Sequence, residues 1–407
     1  MTVFNPRWAL RQTVAVALMA AACSILSANA TPAPAQPKAA QGYTHQTAPT
    51  RFVDVDGAHL AYRRFGKTGG VPLVFLQHFV GNLDSWDPKV IDGFARDREV
   101  ILFDNAGVAS SSGEVPDNIE DMARYAAGLL KALGVKQADL LGFSMGSLIA
   151  QQVTLDHPDL VRRLILVGSS PRGGVGMASL TPEFQGYLAK KREVPDELLL
   201  DVFFTQSAES QAAGREFLTR LRARKINRDV DVNSKTAPAQ AAAIAGWGKP
   251  ADNANDYLKN IRQPTLVVSG SNDIVFYTVN DVTLQQHLPN AQLVIYPDSN
   301  HGAIYQYPEL FAAGREAIYK VRAGVERGLN NGELRALDNV ASIAHTVWAA
   351  VHGVTTLMLD HADTYGYHRD LHLQAEKSMR MMIAGLCTDP SFIANLPSEA
   401  TPYPPEQ

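Results

Sequence analysis

The sequence predicts an α/β protein built on a mostly parallel sheet with helices on both faces. Short runs in which nearly every residue is apolar alternate along the chain with segments of helical periodicity. Strands buried on both faces of a parallel sheet have this composition. The alternation breaks between Pro171 and Arg262, where the composition is helical and contains no convincing strand. We interpret this break as a helical cap above the carboxyl ends of the strands, where sites lie in such sheets.

The apolar runs give the order of the predicted core strands. They are Val71–Gln77, Val100–Phe103, Ala138–Phe143, Arg163–Val167, Thr265–Ser269 and Gln292–Tyr296. An earlier pair, Arg51–Val55 and Ala58–Phe65, flanks Asp56-Gly57 and is predicted to be a hairpin that leads into the sheet. Amphipathic segments such as Ile119–Leu133 are predicted to be the helices that connect parallel strands.

Length and composition indicate one large domain with additional segments. Apolar residues make up 46% of the 407 residues and charged residues 19%, which is typical of a globular protein. The formal net charge of −4 is not the strongly basic charge that is typical of proteins that bind nucleic acid. The predicted segments are a signal peptide (1–30), a Pro/Ala-rich linker (31–50), an α/β domain (51–322, with the cap at about 172–262) and a helical C-terminal appendage (331–390).

The N-terminus has the pattern of an export signal. Two arginines precede the uncharged apolar run Thr13–Leu26, and small residues at 28 and 30 provide a cleavage site. The run is shorter than the roughly 20 residues that span a bilayer, so no stable membrane span is expected after cleavage. We therefore expect a periplasmic or secreted protein. An uncleaved anchor is one alternative; a lipoprotein attached at Cys23 is another, disfavoured because Ala20 stands where leucine is preferred.

The pentapeptide Gly142–Gly146 has the form G-x-S-x-G and carries the candidate nucleophile, Ser144. It ends an apolar strand and opens a helical segment. This context matters because a sharp strand-to-helix turn exposes the serine above the sheet, and glycines two residues away on each side relieve the crowding.

A serine hydroxyl needs a base, and the base needs a carboxylate to orient it. His301 follows the last predicted strand and would emerge at the same sheet edge as Ser144. Asp273 lies just beyond the preceding strand, so the chain order is serine, aspartate, histidine, as in α/β hydrolases. Asp298 is a competing carboxylate, although its position suggests that it only shapes the turn before His301.

Acyl transfer also requires hydrogen-bond donors for the oxyanion that develops. The backbone N–H of Met145, at the start of a helix, is one candidate. The other is the N–H of Phe79, in the loop after the first core strand, where His78 is expected to shape the loop rather than to react.

These motifs resemble the α/β-hydrolase superfamily, in the branch of small capped hydrolases that includes esterases, cofactor-free haloperoxidases and C–C bond hydrolases. The matching pieces are QHFVGNLDSWDP, FDNAGVASSSG, LGFSMGS, SGSNDIV and SNHG. The resemblance implies a Ser-His-Asp triad with no metal and no organic cofactor. Phe79 stands where the family usually has glycine after the histidine, and Ala106 and Ala109 stand where it often has arginine and glycine. Ser144 argues against the branches that use an aspartate nucleophile.

The C-terminal appendage contains two predicted amphipathic helices, Thr346–Leu359 and Leu371–Leu386. The stretch AHTVWAAVHGVTTLML resembles the ligand-binding and dimerisation domain of tetracycline-repressor-type regulators. The helices would need a partner surface for their apolar faces. We expect that surface to be either the hydrolase body or a second copy of the chain in a homodimer.

Two classes of function follow. The first is a serine hydrolase that cleaves an ester, lactone or related acyl bond of a small-molecule substrate through an acyl-enzyme; haloperoxidase or perhydrolase activity on the same triad is a variant of it. The second is a non-catalytic ligand-binding or dimerisation protein whose functional part is the C-terminal appendage. An intact triad in the correct order favours the first, but a fold alone never identifies a substrate.

Overall fold

The computed structural model describes residues 42–308, Arg327 and residues 329–332. The predicted signal peptide, most of the linker, the end of the α/β domain to residue 322, and nearly all of the C-terminal appendage lie outside the described residues. Residues 42–308 belong to one compact unit of the chain.

An eight-stranded sheet forms the centre of this unit, with strand order β1-β2-β4-β3-β5-β6-β7-β8. The strands are β1 (Arg51–Val55), β2 (Ala58–Gly66), β3 (Leu73–Leu76), β4 (Glu99–Phe103), β5 (Ala138–Phe143), β6 (Val161–Val167), β7 (Thr265–Gly270) and β8 (Ala291–Tyr296). The pairs β1–β2 and β2–β4 are antiparallel, and all other pairs are parallel. The predicted fold class is confirmed, including the hairpin, whose turn residues Asp56 and Gly57 both have positive φ.

Helices cover both faces of the sheet and enclose two apolar cores, one on each side. The helices outside the insertion between β6 and β7 are α1 (Pro88–Ala95), α2 (Ile119–Ala132), α3 (Met145–Asp156), α8 (Thr278–His287) and α9 (Ala303–Gln306). Strands β3, β4 and β5 are buried at every position, which explains why their sequences lack alternation.

The insertion between β6 and β7 occupies the place for which a cap is predicted. It contains α4 (Pro182–Ala189), α5 (Leu198–Phe203), α6 (Ala208–Leu221) and α7 (Thr236–Trp247), with short 3₁₀ helices at Pro195–Glu197 and Asp256–Asn260. Its described residues form no strand, and a single β-bridge joins Phe204 to Ser299 in the loop before His301. The cap is therefore attached directly to a loop that carries a candidate catalytic residue.

A buried ionic network fixes the far end of the cap to the core. Arg63 in β2 is fully buried and donates to Asp84 at 2.5 Å and to Asn227 O at 3.3 Å. The second oxygen of Asp84 accepts the N–H of Asp229 at 2.6 Å. Burial opposes ionisation of Asp84, but the hydrogen bond and charge of Arg63 hold its pKa below the ordinary value. Since breaking such a pair leaves a buried charge unpaired, this end of the cap is firmly held.

The C-terminal end of the predicted Pro/Ala-rich linker packs against the sheet-containing unit. His45 and Ala48 are buried, and the backbone N–H of His45 donates to Asp92 at 2.7 Å. Arg224, from the cap, donates to the carbonyl oxygens of His45 and Ala48. Because these carbonyls satisfy a buried guanidinium, the segment is ordered by a distant partner that its own polar composition does not reveal.

Candidate active site

Ser144 lies in a sharp turn between β5 and α3. Its φ of 55° is uncommon for a residue other than glycine and indicates a strained backbone. A Cβ added at Gly142 would lie 2.3 Å from Gly146 O, and one added at Gly146 would lie 2.0 Å from Leu76 O. Both glycines are therefore required for the helix to start so close to the sheet, as the spacing of the pentapeptide predicts.

Three predicted residues from separate loops meet at this turn. The Oγ of Ser144 is 2.7 Å from Nε2 of His301, and Nδ1 of His301 is 2.7 Å from Oδ2 of Asp273. All three residues are at most 4% exposed. Because a carboxylate only accepts hydrogen bonds, Nδ1 of His301 carries the proton and Nε2 is free to accept the proton of Ser144. The arrangement can deprotonate the hydroxyl and hold the resulting imidazolium against a carboxylate.

The aspartate in this chain is fixed by the loop that follows β7. The second carboxylate oxygen of Asp273 accepts the backbone N–H groups of Val275 at 2.8 Å and Phe276 at 3.0 Å. Asp298, the competing carboxylate, accepts instead from the hydroxyls of Thr205 and Ser207, both at 2.6 Å. The structure thus brings Asp273 to His301 and leaves Asp298 as a turn residue that binds the cap.

The two predicted oxyanion donors lie in separate segments of the chain. Residues 77–81, called the oxyanion loop below, follow β3, and Met145 is the first residue of α3. Within residues 42–308, neither the N–H of Phe79 nor that of Met145 donates to a protein acceptor. The neighbouring groups of the loop are bonded, since Gly81 N–H donates to His78 O at 3.1 Å. Neither predicted donor is therefore committed to a hydrogen bond with a described residue.

His78 shapes the oxyanion loop, as its position in the sequence suggests. Its Nδ1 donates to Phe79 O at 2.9 Å. Its ring is buried against Phe143 and Phe203, with ring centroids 5.4 Å apart in each case. Burial lowers the pKa of His78 to about 4, so the imidazole is neutral at physiological pH.

His78 should make stability depend on pH. Its pKa is near 6.5 in the unfolded chain and about 4 in the folded protein. The unfolded chain therefore takes up the proton first, and stability present above pH 6.5 is lost as the pH falls towards 4. The loss attributable to this group is roughly 3 kcal/mol.

His78→Asn keeps a donor for Phe79 O but cannot titrate, so its free energy of unfolding should fall less between pH 7 and pH 4. Urea unfolding of both proteins at several pH values measures this difference. Parallel curves over the whole range would show that His78 is not buried in its neutral form.

Three aromatic rings enclose the imidazole of His301. The ring centroids of Phe143, Phe276 and Phe203 lie 5.1, 5.4 and 6.1 Å from that of His301. The rings exclude water, which strengthens the electrostatic interactions of the site. Phe203 comes from the cap and was not identified from the sequence, because no local pattern marks a cap residue that faces a site.

A buried acid below the site was also missed. Asp281, in α8, accepts the backbone N–H of Ser169 at 3.0 Å and shares a hydrogen bond of 2.7 Å with the hydroxyl of Ser269. Burial, helped by the nearby charge of Asp273, raises the pKa of Asp281 well above the ordinary value. Asp281 therefore ties together the loops after β6 and β7.

Neither a metal centre nor a membrane span is found in the part of the chain that the structure describes. No three His, Cys, Asp or Glu side chains there are grouped so that they could hold a metal ion. None of the helices there is both long enough and apolar enough to cross a bilayer.

The chain is similar to a protein-family model and to proteins of known structure. The family model described as the alpha/beta hydrolase fold matches residues 71–308. An alpha/beta hydrolase fold protein from Chitinophaga pinensis is 39% identical, with 68% of this chain and 98% of that chain covered and a TM-score of 0.63. Est816, described as an N-acyl homoserine lactone degrading enzyme, is 28% identical, with 65% and 98% covered and a TM-score of 0.51.

A curated relative is also similar over part of its length. The 2-hydroxymuconate semialdehyde hydrolase of Pseudomonas putida is 31% identical over 191 residues, which are 46% of this chain. The chain spans 64% of the length of that relative.

Proposed function

The chain belongs to the α/β-hydrolase fold family, and on that premise we propose that it is a serine hydrolase of esters, lactones or related acyl compounds. Its similarity to several α/β hydrolases supports hydrolase activity in general. The observation that carries the finer proposal is the unbroken hydrogen-bond chain from Ser144 through His301 to Asp273. A binding protein would not need all three groups in this alignment.

The proposed reaction has two halves. In the first, Oγ of Ser144 attacks the acyl carbon while Nε2 of His301 takes the hydroxyl proton. The tetrahedral intermediate collapses, and the leaving group departs with the proton that His301 returns. In the second half, water attacks the acyl-enzyme and gives its proton to His301, which then protonates Ser144 as the acid is released. Asp273 stabilises the imidazolium in both halves.

The N–H groups of Phe79 and Met145 are proposed to hold the oxyanion in each half of the reaction. Donors fixed at the point where charge develops lower the barrier without reorganisation, and one such donor is worth about 10²- to 10³-fold in kcat. The absence of a protein acceptor for either group within residues 42–308 supports this role.

A cavity of about 20 Å³ lies beside Met145 and Gly81, at the oxyanion loop. This volume suits about one water molecule. Because Ser144 is only 4% exposed, the side chains around it must move before an acyl group can reach the hydroxyl. The lactone-degrading activity in the description of Est816 supports including lactones in the substrate class.

A fluorophosphonate probe tests the proposed nucleophile directly. We expect the full-length native protein to be labelled at Ser144, with a phosphorus–oxygen bond formed and fluoride released, because His301 activates that hydroxyl alone. Peptide mass spectrometry locates the label, and heat-denatured protein is the control. A native protein that is not labelled would favour the alternative of a binding protein.

A further inference from the structure

Among the described residues, the cap side chain that hydrogen-bonds to the oxyanion loop is that of Gln240. Its Oε1 accepts the backbone N–H of Val80 at 2.7 Å. The other hydrogen bonds of the loop are local: His78 N–H donates to Gln77 Oε1 at 2.8 Å, and Gln77 Nε2 donates to Asn82 O at 2.8 Å. Gln240 is therefore the long-range partner of this loop among the described hydrogen bonds.

The residue whose N–H donates to Gln240 has a strained backbone. Val80 has a φ of 52°, in the left-handed region that β-branched residues avoid. A residue held in such a region costs about 1–3 kcal/mol and persists only where its surroundings impose it. The peptide between Phe79 and Val80 is held at both ends, its oxygen by Nδ1 of His78 and its N–H by Gln240.

The helix that carries Gln240 is attached at both ends. Near its start, the side chain of Asn233 donates to Gly107 O at 3.0 Å, in the loop after β4. At its end, the indole N–H of Trp247 donates to Ser170 O at 3.3 Å, and Trp247 O accepts the N–H of Gly173. Gln240 lies between these attachments and is only 2% exposed. It also lines the cavity that Met145 borders.

We propose that Gln240 is a positioning residue that completes the oxyanion hole from the cap. Its carboxamide holds the strained Phe79–Val80 peptide in the conformation that leaves the Phe79 N–H free for the substrate oxygen. Without this bond the φ of Val80 relaxes towards negative values and the Phe79–Val80 peptide rotates. The preceding amide, which carries the Phe79 N–H, then moves with it. This inference rests on the proposed function, since it assigns a role to Gln240 through the oxyanion donor Phe79.

Gln240→Met tests the role because methionine has a similar shape and offers no strong acceptor. In the full-length protein we expect kcat for p-nitrophenyl acetate to fall about 10- to 100-fold, less than the 10²- to 10³-fold typical of losing an oxyanion donor entirely. KM should change less than about threefold, because the bond acts on the transition state. Affinity for an aryl trifluoromethyl ketone, which forms an oxyanion adduct with serine, should fall in parallel with kcat/KM.

Thr236→Val is the matched control, since it removes a buried hydroxyl from the same helix without contacting the oxyanion loop. It should retain wild-type kinetics. Gln240→Asn withdraws the carboxamide by one methylene and should behave like Gln240→Met, which provides a second measurement if the methionine variant folds poorly. Wild-type values of kcat and of ketone affinity in either folded variant would overturn the inference.

Val80→Gly tests whether Gln240 acts by holding the backbone of Val80 or only by packing against the oxyanion loop. Glycine adopts positive φ without strain, so Gln240→Met should cost less in the Val80→Gly protein than in the wild type. Equal losses in both backgrounds would show that Gln240 does not act through Val80. A wild-type protein that is neither labelled by fluorophosphonate nor hydrolyses the ester overturns the proposed function together with the inference. Labelling and hydrolysis by wild type with unaffected Gln240 variants overturn the inference alone.

Discussion

Ser144→Ala should lower kcat for p-nitrophenyl acetate by about 10⁴-fold or more. The hydroxyl is the group that forms the covalent bond in the proposed reaction, and removal of a triad nucleophile leaves only the catalysis due to binding and the oxyanion donors. Alanine has the same backbone preferences as serine at a φ of 55°, so the strain at the turn is unchanged. Initial rates, together with the midpoint of thermal unfolding, measure the two effects separately.

Ser271→Ala is a suitable control, because Ser271 is exposed in the loop after β7 and its hydroxyl bonds only to the neighbouring Asn272 in the described hydrogen bonds. It should hydrolyse the ester at the wild-type rate. If Ser144→Ala retains more than about one hundredth of the wild-type kcat while folding normally, another group is the nucleophile.

The serine turn could be predicted because its determinants are adjacent in the sequence. Gly142, Ser144 and Gly146 are separated by single residues, and the close approaches of the two glycines follow from a strand that leads directly into a helix. The meeting of Ser144, Asp273 and His301 could be predicted for a different reason. Each follows a parallel strand, and the carboxyl ends of such strands share one edge of the sheet.

Residues that act across long sequence distances could not be predicted. Gln240 is 160 positions from the loop it contacts, and it lies on a helix whose sequence shows neither a motif nor a clear apolar stripe. Arg224 orders the segment around His45 through two backbone carbonyls, a contact that composition cannot encode. In both cases the partner is a backbone group, which every residue possesses, so the sequence offers no complementary side chain to search for.

The choice of Asp273 over Asp298 as the triad acid could be predicted only in part. Both carboxylates follow a strand and precede His301, so Asp298 remained an alternative to Asp273 as the triad acid in the prediction from sequence. In the structure, Asp298 has φ of 46° and binds two cap hydroxyls, whereas Asp273 lies against the imidazole. The deciding feature is the direction of each loop, which depends on packing rather than on residue type.

Asp273→Asn should lower kcat for the same ester by about 10⁴-fold, the size of effect seen when the carboxylate of such a triad becomes an amide. The amide is close in shape, but its NH₂ group can donate to Nδ1 of His301. The proton would then move to Nε2, which could no longer accept the proton of Ser144. Loss of the negative charge also removes the stabilisation of the imidazolium. Stopped-flow or steady-state hydrolysis, with fluorophosphonate labelling as a second readout, measures the loss.

Asp298→Asn is the matched variant, because it makes the same chemical change at a carboxylate three residues before His301. It should keep kcat within a few-fold of the wild type, since Asp298 contacts Thr205 and Ser207 rather than the imidazole. Equal losses in the two variants would indicate that both act through the loop that carries His301. A larger loss in Asp298→Asn would transfer the role of the triad acid to Asp298, and the proposed catalytic chain would have to be redrawn through that residue.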